Sequence, residues 1–200
     1  MKVLIVDNND SFSYNLKHYV EQFSIEVKVI RGNKLDLNCI DEFDKIILSP
    51  GPGLPSEHPM LLAILDEVVG NKSILGICLG HQAIAEYFGA TLANLEQVKH
   101  GVSSQLKQYK NCKVFRNLPE CFKVAHYHSW IVEKESFPDC LVISSENEEG
   151  IITSFRHKIY DVTALQFHPE SILTKYGLQM IKNLFSFRKD QGRMVVFLVL

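Results

Sequence analysis

Two hundred residues suit one domain with a full core, and 46% hydrophobic with 22% charged residues is ordinary for a soluble globular chain. A net charge of -2 supplies neither the basic footprint that nucleic acid demands nor a polybasic membrane patch, so the expected partner is a small molecule or another protein. Cys39, Cys78, Cys112, Cys121 and Cys140 are odd in number and lack any CxxC spacing, which argues against a disulfide framework and against a zinc site. With a chain that starts directly on the strand-like run MKVLIVD, this points to the cytoplasm.

In chain order, KVLIVD (Lys2–Asp7) is a hydrophobic run suited to a strand buried on both faces. DSFSYNLKHYVEQF follows with Phe12, Leu16, Tyr19, Val20 and Phe23 at helical spacing, and Asp10 or Ser11 is the expected N-cap. Ile25–Ile30 alternates like a strand, and Lys45–Ser49 is a further short strand that ends in PGPGLP. A helix is expected over Pro59–Val69, with Pro59 acceptable in its first turn. Ser73–Ile77 then reads as a buried strand and Leu79–Phe88 as a helix. Strands alternating with helices predict a mostly parallel open sheet with helices on both faces.

The second half changes character. FKVAHYHSWIV, LVISSE, GIITSFRHK and DVTALQFH are strand-like runs joined by short polar stretches, so hairpins and antiparallel additions to the sheet are expected. A last helix over about Thr174–Arg188 carries Leu178, Ile181, Leu184 and Phe185 on one face. One α/β domain is therefore expected over residues 1–188. The apolar end from Met194 is too short to span a bilayer, and it reads either as a core strand or as a disordered or non-native tail. Residues 189–200 are assigned no role.

In open parallel sheets, sites lie beyond the carboxyl ends of the strands. Three segments fall there: Asp7–Ser11, Ser49–Pro55 and Cys78–Gln82. Cys78 sits in G-x-C-x-G between Gly76 and Gly80, at a strand-to-helix bend. It is either packing material or a nucleophile on a tight turn, of the kind known for serine in G-x-S-x-G. The turn sets the sulfur beside a helix N-terminus, which favours a thiolate, and aims the Leu79 N–H at a developing oxyanion.

A cysteine nucleophile needs a base, usually histidine. Among eight histidines, His168 in LQFHPES stands out because it ends an apolar run that Pro169 breaks, and Glu170 can orient its imidazole. A surface histidine at a strand end is the alternative. His81 is expected to pack or cap and His128 to line the site, with His126 a third competitor, while His18, His58, His100 and His157 look like ordinary polar positions. In SPGPGLP, Pro50 and Pro52 stiffen a loop whose Gly51 and Gly53 let backbone N–H groups approach a ligand. It lacks the Lys-Ser/Thr ending of a P-loop, which leaves an oxyanion donor or a plain turn.

SPGPGLP (49–55), GICLGHQ (76–82) and FHPES (167–171), in that order, resemble the class I (triad-type) glutamine amidotransferases over nearly the whole chain to about Arg188. VDNNDSFSYNL (6–16), YHSW (127–130) and HPESILT (168–174) are similar to the small subunits of anthranilate synthase and aminodeoxychorismate synthase. The resemblance implies a flavodoxin-like fold and a triad of Cys78, His168 and Glu170. It implies oxyanion donors at Gly53 and Leu79, and glutamine contacts at Gly51, Pro52, Gly53, Gln82, Ser129 and Trp130. Ammonia would pass to a chorismate-binding partner in the making of anthranilate for tryptophan, or of aminodeoxychorismate for folate. No cofactor is implied in this chain, and any Mg2+ belongs to the partner. Two departures stand out: HPML follows PGPGLPSE, and Trp130 replaces a common leucine. A stand-alone γ-glutamyl hydrolase and a non-enzymatic interaction module are the competing readings.

Overall fold

The computed structural model describes residues 1–23, 26–109 and 112–185. The tail at 189–200, Ile25 and the end of the last expected helix lie outside the described residues.

The first half builds the parallel part of the sheet. Strands β1 (Lys2–Asp7), β2 (Glu26–Arg31), β3 (Lys45–Leu48) and β4 (Ser73–Ile77) alternate with helices α1 (Ser13–Glu21), α2 (Pro59–Val68) and α3 (Leu79–Tyr87). The second half supplies β5 (Leu92–Gln108), β6 (Cys121–Val132), β7 (Leu141–Asn147), β8 (Ile152–His157) and β9 (Val162–Leu165), then α4 (Gly177–Phe185). Among the described residues they form one nine-stranded sheet in the order β2-β1-β3-β4-β9-β8-β7-β5-β6. Pairings from β2 through β9 are parallel, and those from β9 through β6 are antiparallel. This is the expected α/β architecture with antiparallel additions.

The alternation within each central strand distributes the core over two faces. Leu4, Val6, Ile46 and Leu48 pack with Leu61, Ile64 and Leu65 of α2 and Leu79 and Ala83 of α3. Val3, Ile5, Ile47 and Leu75 pack on the other face with Leu16 and Val20 of α1 and Met180, Ile181 and Leu184 of α4. Helices on both faces explain why KVLI and KIIL read as unbroken apolar runs.

Several element ends differ from the expectation. Helix α1 starts at Ser13, and neither Asp10 nor Ser11 caps it. Asp10 instead closes a turn of its own, its carboxylate accepting the Phe12 N–H at 2.7 Å. Strand β9 ends at Leu165 rather than His168, because the His168 N–H leaves it to reach the Ala125 carbonyl of β6 at 3.0 Å. Helix α4 starts at Gly177 rather than Thr174, whose hydroxyl is bound to the His168 carbonyl at 2.7 Å. Strand β5 has no counterpart in the expectation. Its residues 96–103 are polar or exposed, and two irregularities in its pairing with β6 break the alternation.

Candidate active site

Between β4 and α3 the chain turns within one residue. Cys78 has φ 51° and ψ -101°, a conformation that costs a non-glycine residue about 1–3 kcal/mol. The turn survives because its flanks are pressed together with no room for side chains. A Cβ on Gly76 would lie 2.5 Å from the Gly80 carbonyl oxygen, and one on Gly80 would lie 2.4 Å from the Leu48 carbonyl oxygen. These two glycines let α3 sit on the ends of β3 and β4. The Cys78 N–H is tied to Leu165 of β9 at 2.8 Å, so the turn is anchored to the sheet on both sides.

The Cys78 side chain is 4% exposed, with Sγ 3.9 Å from the Tyr127 carbonyl oxygen and 3.7 Å from Nε2 of Gln166. His168 and Glu170 lie beneath it, both buried, with Nδ1 donating to Oε1 of Glu170 at 2.7 Å. His168 Nε2 and Glu170 Oε2 have no hydrogen-bond partner among the described residues. Burial alone would push the imidazole down, but the neighbouring Cys78 sulfur and the hydrogen-bonded Glu170 carboxylate overcome it and raise His168 to about 10. Aromatic edges hold the ring in place, Phe12 at 5.3 Å and Tyr127 at 4.9 Å between centroids. The segment behind it is equally fixed. Thr174 binds the His168 carbonyl, and a Cβ on Gly177 would lie 1.6 Å from the Pro169 carbonyl oxygen.

Above the sulfur opens a cavity of about 220 Å3. Gly51, Pro52, Gly53, Cys78, Gln82, Ser129 and Trp130 line it. Those seven expected site residues therefore meet at one place. Leu79, His168 and Glu170 do not line the cavity. The Leu79 side chain packs under the loop, where a Cβ on Gly51 would lie 2.6 Å from its Cδ2, so only its backbone can serve a ligand. That loop is pinned by Asn8, whose N–H donates to Ser49 Oγ and whose Nδ2 donates to the Ser49 carbonyl, each at 3.0 Å. His58 pins the other end, Nε2 donating to the Pro52 carbonyl at 2.9 Å. A larger cavity of about 590 Å3 lies beside Asp7, Asn9 and Met60, away from Cys78.

His81 packs, as expected: it is fully buried against Phe155 at 4.7 Å, and burial pushes it down to about 3. His128 lines the cavity, as expected, and His100 lines it too, contrary to expectation. His157 is likewise no ordinary polar position. It is buried, and its Nδ1 accepts the N–H groups of Ile159 and Tyr160 at 3.0 and 2.9 Å. Val98, Tyr127 and Gln166 also belong to the site and were missed. For Gln166 a signal existed: it is the polar residue in the otherwise apolar run ALQF.

The family model described as glutamine amidotransferase class-I matches residues 4–186. Anthranilate synthase component 2 of Pseudomonas aeruginosa is 39% identical, over 95% of this chain and 96% of that protein. Aminodeoxychorismate synthase component 2 of Klebsiella aerogenes is also 39% identical, over 90% of this chain and 97% of that protein. A crystal structure of a glutamine amidotransferase from Thermotoga maritima shares the fold with a TM-score of 0.77 at 15% identity, over 92% of this chain and 96% of that one. With an elbow cysteine over a buried His–Glu pair and a family match across nearly its whole length, this chain belongs to the class I glutamine amidotransferases.

Proposed function

We propose that this chain is the glutaminase subunit of a chorismate-using synthase, cleaving L-glutamine through Cys78, His168 and Glu170 and passing ammonia to a chorismate-binding partner that makes anthranilate. The observation that supports the reading is that Cys78 lines the cavity and also acts on the buried His168, which is paired with Glu170. The names of the relatives as second components motivate the partner.

The proposed reaction runs in two stages. The Cys78 thiolate attacks the side-chain carboxamide carbon, and the carbonyl electrons move onto oxygen beside the Gly53 and Leu79 N–H groups. The intermediate collapses as His168 gives its Nε2 proton to the departing nitrogen, releasing ammonia and leaving a γ-glutamyl thioester on Cys78. The neutral imidazole then takes a proton from water as that water attacks the thioester, and glutamate leaves with the sulfur restored. Glu170 keeps the other imidazole N–H engaged and offsets the charge of the protonated ring. Gly51, Pro52, Gln82, Ser129 and Trp130 complete the glutamine site. The reading needs no cofactor in this chain and assigns Mg2+ to the partner. The five free cysteines suit the cytoplasm.

The test is to purify the chain with its chorismate-binding subunit, supply chorismate and glutamine, and identify the product. Glutamate and anthranilate in equal amounts, both lost in Cys78→Ala, support the proposal. Aminodeoxychorismate instead moves the same chemistry to folate synthesis. Rapid glutamate release by the isolated chain favours a stand-alone γ-glutamyl hydrolase. No glutamate above the Cys78→Ala background overturns the reading.

A further inference from the structure

Gln82 is almost fully buried, and its Nε2 lies 2.9 Å from the Trp130 carbonyl oxygen and 3.3 Å from Oε1 of Gln166. A side-chain amide nitrogen carries two hydrogens, so these two acceptors use both. Only the Gln82 Oε1 is then left for the cavity, and the amide can present an acceptor but no donor to a ligand.

Both acceptors are held from behind. The Trp130 carbonyl lies 3.0 Å from Nδ1 of His128, whose Nε2 lies 3.0 Å from Nδ1 of His126, whose Nε2 lies 2.7 Å from the Ser104 hydroxyl. Burial, with the neighbouring histidine adding to it, pushes His126 down to about 3, and burial pushes His128 down to about 4. Both rings are therefore neutral near pH 7, and a neutral imidazole has a single N–H. A carbonyl can only accept, so His128 donates from Nδ1 and must accept at Nε2. His126 must then donate from Nδ1 and accept at Nε2, and Ser104 donates to it. One backbone carbonyl sets the tautomer of two histidines, and the donations from Ser104 through His126 and His128 end on the Trp130 carbonyl, which accepts from Gln82 on its other side. On the opposite side, Gln166 is wholly buried. With Oε1 turned to Gln82, its Nε2 is turned to the Cys78 sulfur at 3.7 Å.

We propose that His126 and His128, with Ser104 behind them, are positioning residues that lock the Gln82 amide with its oxygen toward the cavity, and that Gln166 completes the lock while donating to the Cys78 sulfur. The proposal rests on the reading of Gln82 and Cys78 as substrate-binding and nucleophilic groups. It goes beyond packing, because the chain that starts at Ser104 and His126 ends on His128, Trp130 and Gln82, which line the cavity. An amide free to turn over would set an N–H against a ligand donor half the time.

The experiment measures kcat and KM for glutamine in the complex with the chorismate-binding subunit, beside the melting temperature of each variant. His126→Leu removes the donor to His128 and raises KM about tenfold with kcat within about threefold, the loss of one buried hydrogen bond. His126→Asn carries an N–H where Nδ1 stood and restores KM to within about threefold of wild type. Gln166→Glu keeps an acceptor for Gln82 but sets an anion beside the sulfur, so kcat falls about tenfold or more while KM holds. In the isolated chain, alkylation of Cys78 by iodoacetamide at pH 7, read by peptide mass mapping, slows in Gln166→Glu and not in His126→Leu. Variants that lose melting temperature while keeping wild-type KM, kcat and alkylation overturn the proposal, as does a KM defect in His126→Leu that Asn does not repair. A wild-type complex that releases no glutamate overturns the function proposed above and the role of Gln82 with it. In that case the alkylation rates alone decide whether Gln166 acts on the sulfur.

Discussion

Oε1 of Glu170 lies 2.7 Å from Nδ1 of His168, and both side chains are shut away from water. Two residues of separation along the chain suffice because the chain turns at Pro169 and Glu170, beyond the end of β9, and brings the carboxylate back on the ring. Burial disfavours the protonated ring, yet Cys78 and Glu170 together raise His168 from 6.5 to about 10. A raised folded value means the stabilisation is complete below about 6.5 and is lost as pH climbs through about 10. Glu170→Gln removes part of it. The stability gap between wild type and Glu170→Gln, from urea melts, is therefore largest near neutral pH and shrinks toward pH 10. A gap that widens with pH contradicts the pairing.

The elbow makes a prediction about two variants of Cys78. At φ 51°, alanine keeps the strain of Cys78 and glycine relieves it. Cys78→Gly should be more stable than Cys78→Ala by about 1–3 kcal/mol, although it removes more packed atoms. Chemical denaturation of the two proteins decides the order, and a more stable alanine variant would remove the case for strain.

Gly80 tests how closely α3 must approach the sheet. The atom that an added methyl would strike is the Leu48 carbonyl oxygen, part of the central strand β3, which cannot swing aside. Gly80→Ala is expected to cost about 1–3 kcal/mol and to lower glutamine turnover by displacing the elbow. Unchanged stability and turnover would show that the contact is softer than it looks.

Lys45 gives a pH effect of opposite sign. Its Nζ, largely buried, donates to the Leu184 carbonyl at 2.9 Å and to Ser73 Oγ at 3.0 Å. Burial, and next the Lys113 charge, lower it from 10.5 to about 8 against the pull of Asp161 and Asp44. The folded state thus disfavours the cation, a penalty that is full below about 8 and gone above about 10.5. Relative to Lys45→Met, wild type should gain stability as pH rises through that window. A relative loss would contradict the buried-cation account.

Much of the site was legible because its signals are local. Gly76 and Gly80 around Cys78, the prolines beside Gly51 and Gly53, and His168 before Pro169 each announce a turn at a strand end. The sheet-end rule brings those turns together. What could not be read depends on register and on partners far away in the chain. Gln166 matters because β9 ends one residue earlier and delivers its amide between Gln82 and Cys78. Phe12 matters because Asp10 turns the chain before α1, leaving its ring against His168. Strand β5 was invisible because its middle is polar and irregularly paired, so β6 rather than its own pattern holds it extended. His126 and His128 lie two apart on β6, and nothing in that spacing told that their rings bond each other.

The central claim is that glutamine is opened on the Cys78 sulfur. Isotopically labelled glutamine mixed with the complex and quenched in acid should leave label on the peptide carrying Cys78. Hydroxylamine should release that label as the γ-glutamyl hydroxamate, and Cys78→Ala should hold none. Label on any other residue, or glutamate release undiminished in Cys78→Ala, would contradict the account.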